Sequence, residues 1–267
     1  MAITTVDDIA AGLAGAQDID FIKNLTAPTI GAFQMAWAAP GFPGAGVTPA
    51  LNTAGSGYTA DNTTTGALPL ANGAVQLWLA RLAASCTQPG TILIYDRLWS
   101  CSFAAPVAAG TVSVTTPGNL PARITDNGVD VEAWLDVYAV GGASAGTATL
   151  NYLNANTGAA KSGPAFSLPS APVVGRTIPF PLAAGDTGVR QITSMSNSAT
   201  MTSGTYGLTL RKPLSRVPVL GVGLGTVYDW ASLGLPKIPN GACLEILFLA
   251  QNATAPTIIG TMDIIDK

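Results

Sequence analysis

Beyond residue 90 the apolar positions fall at every second residue in short runs, and clusters of Gly, Asn and Pro interrupt the runs. The clearest run is VDVEAWLDVYAV, residues 129–140. In an extended chain Val131, Ala133, Leu135 and Val137 face one way, and Asp130, Glu132, Trp134, Asp136 and Tyr138 face the other. ILIYDRLWS (92–100) reads as a strand, and residues 147–165 read as a hairpin turning at Asn156, Thr157 and Gly158. GRTIPFPL, VRQITSMSN and YGLTLRKPL follow as shorter strands, with AAGDTG as a polar turn. Pro179 and Pro181 confine TIPFPL to an edge or a bulge. CLEILFLAQ and PTIIGTMDII close the chain as two strands apolar on both faces. Many short strands without alternating helices predict an all-β fold, a β-sandwich or jelly-roll-like domain.

The first 90 residues are patterned differently. Val6, Ile9 and Leu13, then Ile19 and Phe21, recur at roughly helical spacing. Thr5 is placed to cap such a helix, Asp7 and Asp8 favour its first turn, and Gly12 and Gly15 make it short or broken. Residues 38–66 are crowded with Gly, Pro, Asn and Thr and predict an extended arm. In residues 71–86 the stripe Val75, Trp78, Leu79, Leu82 predicts a second helix, capped by Asn72 and ended by Gln88, Pro89 and Gly90. The expected organisation is an N-terminal helix and extended arm over 1–70 and a sandwich domain with a leading helix over 71–267.

Composition changes the picture in one respect. The 267 residues are 48% hydrophobic and only 10% charged, against about 25% charged in an ordinary soluble domain. Such a surface is either neutral hydroxyl and amide or buried against other chains, and the second is favoured. The net charge of −3 argues against a nucleic-acid footprint. Acids dominate the first 66 residues, with Asp7, Asp8, Asp18, Asp20 and Asp61 against Lys23. Bases dominate residues 161–216, with Lys161, Arg176, Arg190, Arg211, Lys212 and Arg216 against Asp186, an asymmetry suited to steering copies or a partner together. No apolar run approaches the ~18 residues of a membrane span, and the start of the chain lacks the basic region of a signal peptide. Cys86, Cys101 and Cys243 form no CxxC pair and read as reduced, part-buried residues made in a reducing cytosol.

Candidate chemistry is sparse. With no histidine, the usual general base, the Ser–His and Cys–His nucleophile pairs and the commonest metal ligand are all missing. Glu132 and Asp136 share a strand face but stand roughly 13 Å apart along an extended chain, too far for a paired-carboxylate glycosidase, and read as a solvated face. GVGLGT (221–226) lacks the spacing and the lysine of a phosphate loop and reads as a turn. No metal site and no cofactor are expected.

The stretch GTILIYDRLWSCSF (90–103) remains. Asp96 lies on one face with Ile92, Ile94 and Leu98, and Arg97 lies on the other between Tyr95 and Trp99. A carboxylate on an apolar face needs donors, because a buried unpaired charge is very costly. Arg123, Arg190 or loop amides are the candidates. Arg97 is placed to stack on Trp99 or Tyr95. Both arrangements lock geometry and supply no nucleophile, so the stretch reads as a strut.

LIYDRLWS, LPARITDNGVDVEAWLDVY, TATLNYLNANTGAAKSG, PFPLAAGDTGVR and LTLRKPLSRVPV, taken in that order, resemble a group of tailed-bacteriophage virion structural proteins. The resemblance runs from about residue 75 to about 220, a little over half the chain. It implies a non-enzymatic head or tail component made in the bacterial host cytoplasm. Composition favours the outer head surface: a capsid decoration or cement protein, a homotrimer by analogy, whose partner is the major capsid protein. The alternative is a tail, baseplate or fibre component that binds the host surface, with Trp134 and Tyr138 as a sugar-stacking platform unless they are buried. A carboxylate-based hydrolase is the third class.

Overall fold

A computed structural model describes residues 3–50, 57–104, 108–114, 120–142 and 146–267. In chain order its elements are α1 (Val6–Leu13), β1 (Gln17–Asn24), β2 (Phe33–Met35), β3 (Gly41–Phe42), β4 (Tyr58–Thr59), β5 (Leu77–Cys86) and β6 (Gly90–Ala104). Next come β7 (Gly110–Ser113), β8 (Glu132–Ala139), β9 (Thr147–Asn154), β10 (Ala160–Ser162), β11 (Phe166–Ser167), β12 (Arg176–Pro179) and β13 (Val189–Asn197). The last are β14 (Thr205–Val219), β15 (Thr226–Asp229), α2 (Trp230–Leu233), β16 (Lys237–Ile238), β17 (Leu244–Ala250) and β18 (Thr257–Asp266). The fold is all-β, as the alternation predicts.

Contacts divide the chain into two compact units that differ from the expected 1–70 and 71–267. The first comprises Met1–Val47, Asp61–Asp96 and Leu214–Lys267; the second comprises Thr48–Ala60 and Arg97–Pro213. Residues 3–47 are thus built into the first unit. Of the expected arm over 38–66, residues 51–56 lie outside the described residues.

The first unit is a sandwich. One sheet runs β15-β5-β18-β1-β3, with β16 also on β5; against it stand β2, β17 and the first half of β6. Ile19, Phe21, Leu79, Leu82, Met262 and Ile264 from the first sheet meet Ile92, Ile94, Leu244, Ile246 and Phe248 in one core. Thr5 caps α1 in a capping box with Asp8. The backbone amides of Thr4 and Thr5 hold the Asp8 carboxyl down at about 2. The helix ends at Leu13, and Ile19 and Phe21 belong to β1, where they alternate with exposed Asp18 and Asp20. Lys23, on the inner face of β1, is buried and donates from Nζ to the carbonyls of Ala39 (3.4 Å), Pro43 (2.7 Å) and Gly44 (3.1 Å). Its ammonium therefore ties the segment around β3 to the sheet.

The helix expected over 71–86 is a correction: residues 77–86 form a strand paired on β18 and β15. The register shifts between Asp263/Arg81 and Ile264/Leu79, which leaves Ala80 as an extra residue. Leu77, Leu79, Leu82, Ala84 and Cys86 all reach the core. The bulge puts Leu79 and Leu82 three apart on one face, and that spacing is what imitates a helical stripe.

The second unit is also a sandwich. One sheet runs β10-β9-β13-β7, with β11 on β9. Opposite it β8 pairs β14 and β12, and the second half of β6 carries β4. Ala133, Leu135, Val137, Leu208 and Leu210 pack against Leu150, Tyr152, Ile192 and Met195. The hairpin predicted at 156–158 joins β9 to β10, with Gly158 at φ +70° and the Asn154 carboxamide accepting from the amides of Thr157 and Ala159. All three cysteines are free and buried, and burial pushes the Cys101 thiol up to about 12.

Candidate functional site

Two places hold the residues that the sequence singles out or leaves unexplained: a buried charge cluster in the second unit and an open face in the first.

The cluster is built on the face of β8 opposite the apolar core. Asp136 lies across β14 from Gly207 and across β12 from Thr177, by strand register. Its Oδ1 accepts from Thr177 Oγ1 (2.5 Å) and Arg211 Nη1 (2.9 Å). Its Oδ2 accepts from Thr209 Oγ1 (2.7 Å), Arg211 Nη2 (2.9 Å) and Tyr138 (3.2 Å), with Arg97 Nη1 at 3.5 Å. Burial by itself raises this carboxyl, but the guanidiniums of Arg211 and Arg97 and the bonds from Arg211 and Thr177 outweigh it and hold the group below the usual carboxylate range. Arg97 also donates to Tyr138 Oη at 2.6 Å and to Thr209 at 3.3 Å. Burial raises the Tyr138 phenol despite the opposing pull of Arg97, so it stays protonated. Arg211 lies 5.6 Å over the Trp134 ring, and Trp134 Nε1 donates to Glu132 at 3.0 Å.

This corrects one expectation and decides between two readings of Trp134. The strand face is not solvated at Asp136, since Asp136, Arg97 and Arg211 are fully buried, while Glu132 at its end is half-buried. Trp134 is only 2% exposed, so it offers no sugar-stacking platform. A carboxylate whose two oxygens already accept five hydrogen bonds has no lone pair left for a substrate proton.

The structure separates the two neighbours of the strut. Asp96, on the face of Ile92 and Ile94, accepts from the backbone amide of Cys243 at 2.9 Å; loop amides were one of the partner types open to it. Arg97 turns to the Asp136 cluster. The Trp99 ring lies on Gly57, where a Cβ would come within 2.6 Å of it. Arg123 donates to the carbonyls of Ala60 (2.8 Å) and Arg97 (3.1 Å) and so ties β4 beside β6. Arg190 donates to the carbonyl of Ala155 (3.2 Å) at the β9 hairpin, apart from the cluster. Thr177, Thr209 and Arg211 carry no local signal in the sequence, because they reach Asp136 only through strand pairing.

The open face lies on the outside of the first unit's β15-β5-β18-β1-β3 sheet. Strand register arranges it in rows. Asp18, Asp263 and Arg81 form one, with an Arg81–Asp263 ion pair at 2.5 Å. Asp20, Thr261, Ala83 and Val227 form the next, and Phe42, Ile22, Ile259 and Ser85 the third. On the far side of the charged row α1 covers the sheet, with Ile9 buried on Ala80 and Ile265. On the near side nothing in the described chain covers it. The second and third rows line an open groove of about 600 Å³, and Ile22, Phe42, Val227 and Ile259 are 36–64% exposed. Beside it the turn over residues 220–225, fixed by a bond from the Gly223 amide to the Cys86 carbonyl, exposes Leu220 (77%), Val222 (65%) and Leu224 (65%). The sequence gives a faint sign of this face: Ile258 and Ile259 are both apolar within one strand, and only one of them can point to the core.

Among the described residues no helix is long and apolar enough to cross a membrane, and no group of His, Cys, Asp and Glu is arranged to hold a metal ion. No family model matches the chain, and no curated protein does. Solved structures similar to it include the infectious bursal disease virus Gx strain, at 11% identity and TM-score 0.20 over 93% of this chain and 79% of that one. A VP2 subviral particle of the same virus is similar at 11% identity and TM-score 0.21, over 94% and 80%.

Proposed function

We propose that this chain is a structural component of a tailed-phage virion, and within it a capsid decoration protein that reinforces the head by bridging major capsid subunits. The observation that carries the reading is the open apolar face of the first unit. Its uncovered rows set Ile22, Phe42, Val227 and Ile259, 36–64% exposed, along one groove, and the turn that runs into the groove wall at Gly225 exposes Leu220, Val222 and Leu224. In a chain with 10% charged residues, such a surface is suited to burial against another protein. The polar groups support the same reading. Asp136, Arg97 and Arg211 are spent on one another inside the second unit, which suits a structural part. The sequence resemblance supplies the setting, and it concerns virion components.

The mechanism is binding energy. Each copy buries apolar surface against its neighbours, and repetition over a shell makes the reinforcement collective. The test is a count of copies in purified particles, with a heat challenge of particles made without the protein. The expected result is a copy number on the scale of the shell subunits and DNA release at lower temperature when the protein is missing. A small multiple of three or six per particle would move the protein to the tail. Absence from particles, or unchanged heat resistance without it, would overturn the reading.

A further inference from the structure

We infer that the open groove of the first unit is a self-association site and that its occupant is the 220–225 turn of a second copy of this chain. The inference rests on the reading of the protein as a multimeric shell component and names the surface through which copies join.

Both halves of the contact are present on one molecule. The groove is a shallow apolar trough whose walls are Phe42 and Ile22 on one side and Val227 on the other, with Ile259, Ala83 and the backbone of Gly260 between them. The turn is a blunt apolar knob: Leu220, Val222 and Leu224 alternate with Gly221, Gly223 and Gly225, and Gly223 sits at φ +69°. Glycines between the large side chains let a neighbouring backbone come close. From Val217 to Tyr228 the chain carries no Asp, Glu, Lys or Arg, so the knob enters an apolar trough without stripping water from a charge.

Charge and spacing fit the same occupant. The groove is flanked on its α1 side by exposed Asp18 and Asp20, while Asp263 is buried and paired with Arg81. The knob is preceded by the exposed Arg216, four residues before Leu220 and so roughly 13 Å back along an extended chain. From Val227 to Asp20 the groove spans three strand spacings, roughly 14 Å. A knob seated near Val227 and Ile259 therefore brings its own Arg216 within reach of the partner's acidic flank.

The test uses the full chain. Val222→Cys and Ile259→Cys are made in separate copies carrying different tags, mixed and oxidised; both sites are exposed and the native cysteines are buried. The expected product is a disulfide between the two tags, well above that from mixing Val222→Cys with a control cysteine at Val140, an exposed position outside the first unit. In sedimentation velocity, Val222→Asp is expected to weaken self-association by about tenfold or more while leaving the far-UV spectrum unchanged. A mixed disulfide no stronger than the control overturns the inference, as does a Val222→Asp protein that associates like the wild type. If the protein is abundant in particles and Val222→Asp leaves its self-association intact, the inference fails and the decoration reading stands. If it is absent from particles and the mixed disulfide forms, the decoration reading fails and the self-contact stands.

Discussion

Asp136 lies between two fully buried guanidiniums, Arg97 and Arg211. Asp136→Asn keeps the shape and removes the counter-charge, so it should cost about 3–5 kcal/mol in urea unfolding followed by circular dichroism. Adding Arg211→Met should recover part of that loss, since an apolar replacement of a buried pair is tolerated better than half of one. A loss below about 1 kcal/mol for Asp136→Asn would show that the pair is solvated in solution. Gly207 is fixed for a different reason. A Cβ there would come within 2.5 Å of the Tyr138 ring and 2.8 Å of the Cys101 carbonyl. Gly207→Ala should therefore lower stability by about 1–3 kcal/mol, measured as the fall in Tm. Asp96 and Arg97 could be assigned to opposite faces from the chain alone, because strand alternation is local. Their partners could not, because Cys243, Thr209 and Asp136 lie between 39 and 147 residues away: 136 − 97 = 39 for Arg97 and 243 − 96 = 147 for Asp96.

At the scale of elements, β5 holds the main lesson. Its apolar positions satisfy a helical stripe and a bulged strand equally well, and the partner strands decide between them. If the bulge at Ala80 is the reason for the spacing, deleting Ala80 restores plain alternation and keeps Leu82, Ala84 and Cys86 in the core. Deleting Ala83 instead turns Ala84 and Cys86 outward and Ser85 inward. The expected outcome is a folded, soluble protein for the first deletion and loss of soluble protein for the second, judged by yield and circular dichroism. Equal damage from both would count against the bulge. Lys23 serves an element in another way, since its ammonium holds the segment around β3 through three carbonyls. Lys23→Met leaves those acceptors without their donor, at a cost of about 1–3 kcal/mol, and limited proteolysis should then cut first within residues 39–47.

For the whole molecule, the carboxylates set the response to acid. Asp136 is held low by Arg211 and Arg97 against the cost of burial, and Asp266 is held low by the amides of Ala74 and Val75. A carboxyl whose folded pKa lies below its unfolded value contributes stability that is present above the unfolded value and disappears as pH falls through the folded one. With no histidine to titrate, Tm should be flat between about pH 5 and 7 and fall below about pH 4. The fall should be shallower for Asp136→Asn. A midpoint for acid unfolding near neutrality would contradict the assignment.

The all-β class, the capped N-terminal helix, the hairpin at Gly158 and the scarcity of reactive groups are legible along the chain alone. Each depends on neighbours a few residues apart: alternation, a capping box, a turn glycine, the absence of an imidazole. That 77–86 is a strand, that Trp134 and Asp136 are enclosed, and that Ile22, Phe42, Val227 and Ile259 meet on one uncovered face emerges from the folded arrangement. Those outcomes depend on which strands pair and in what register, and pairing is a relation between distant segments whose energy appears only once both are in place.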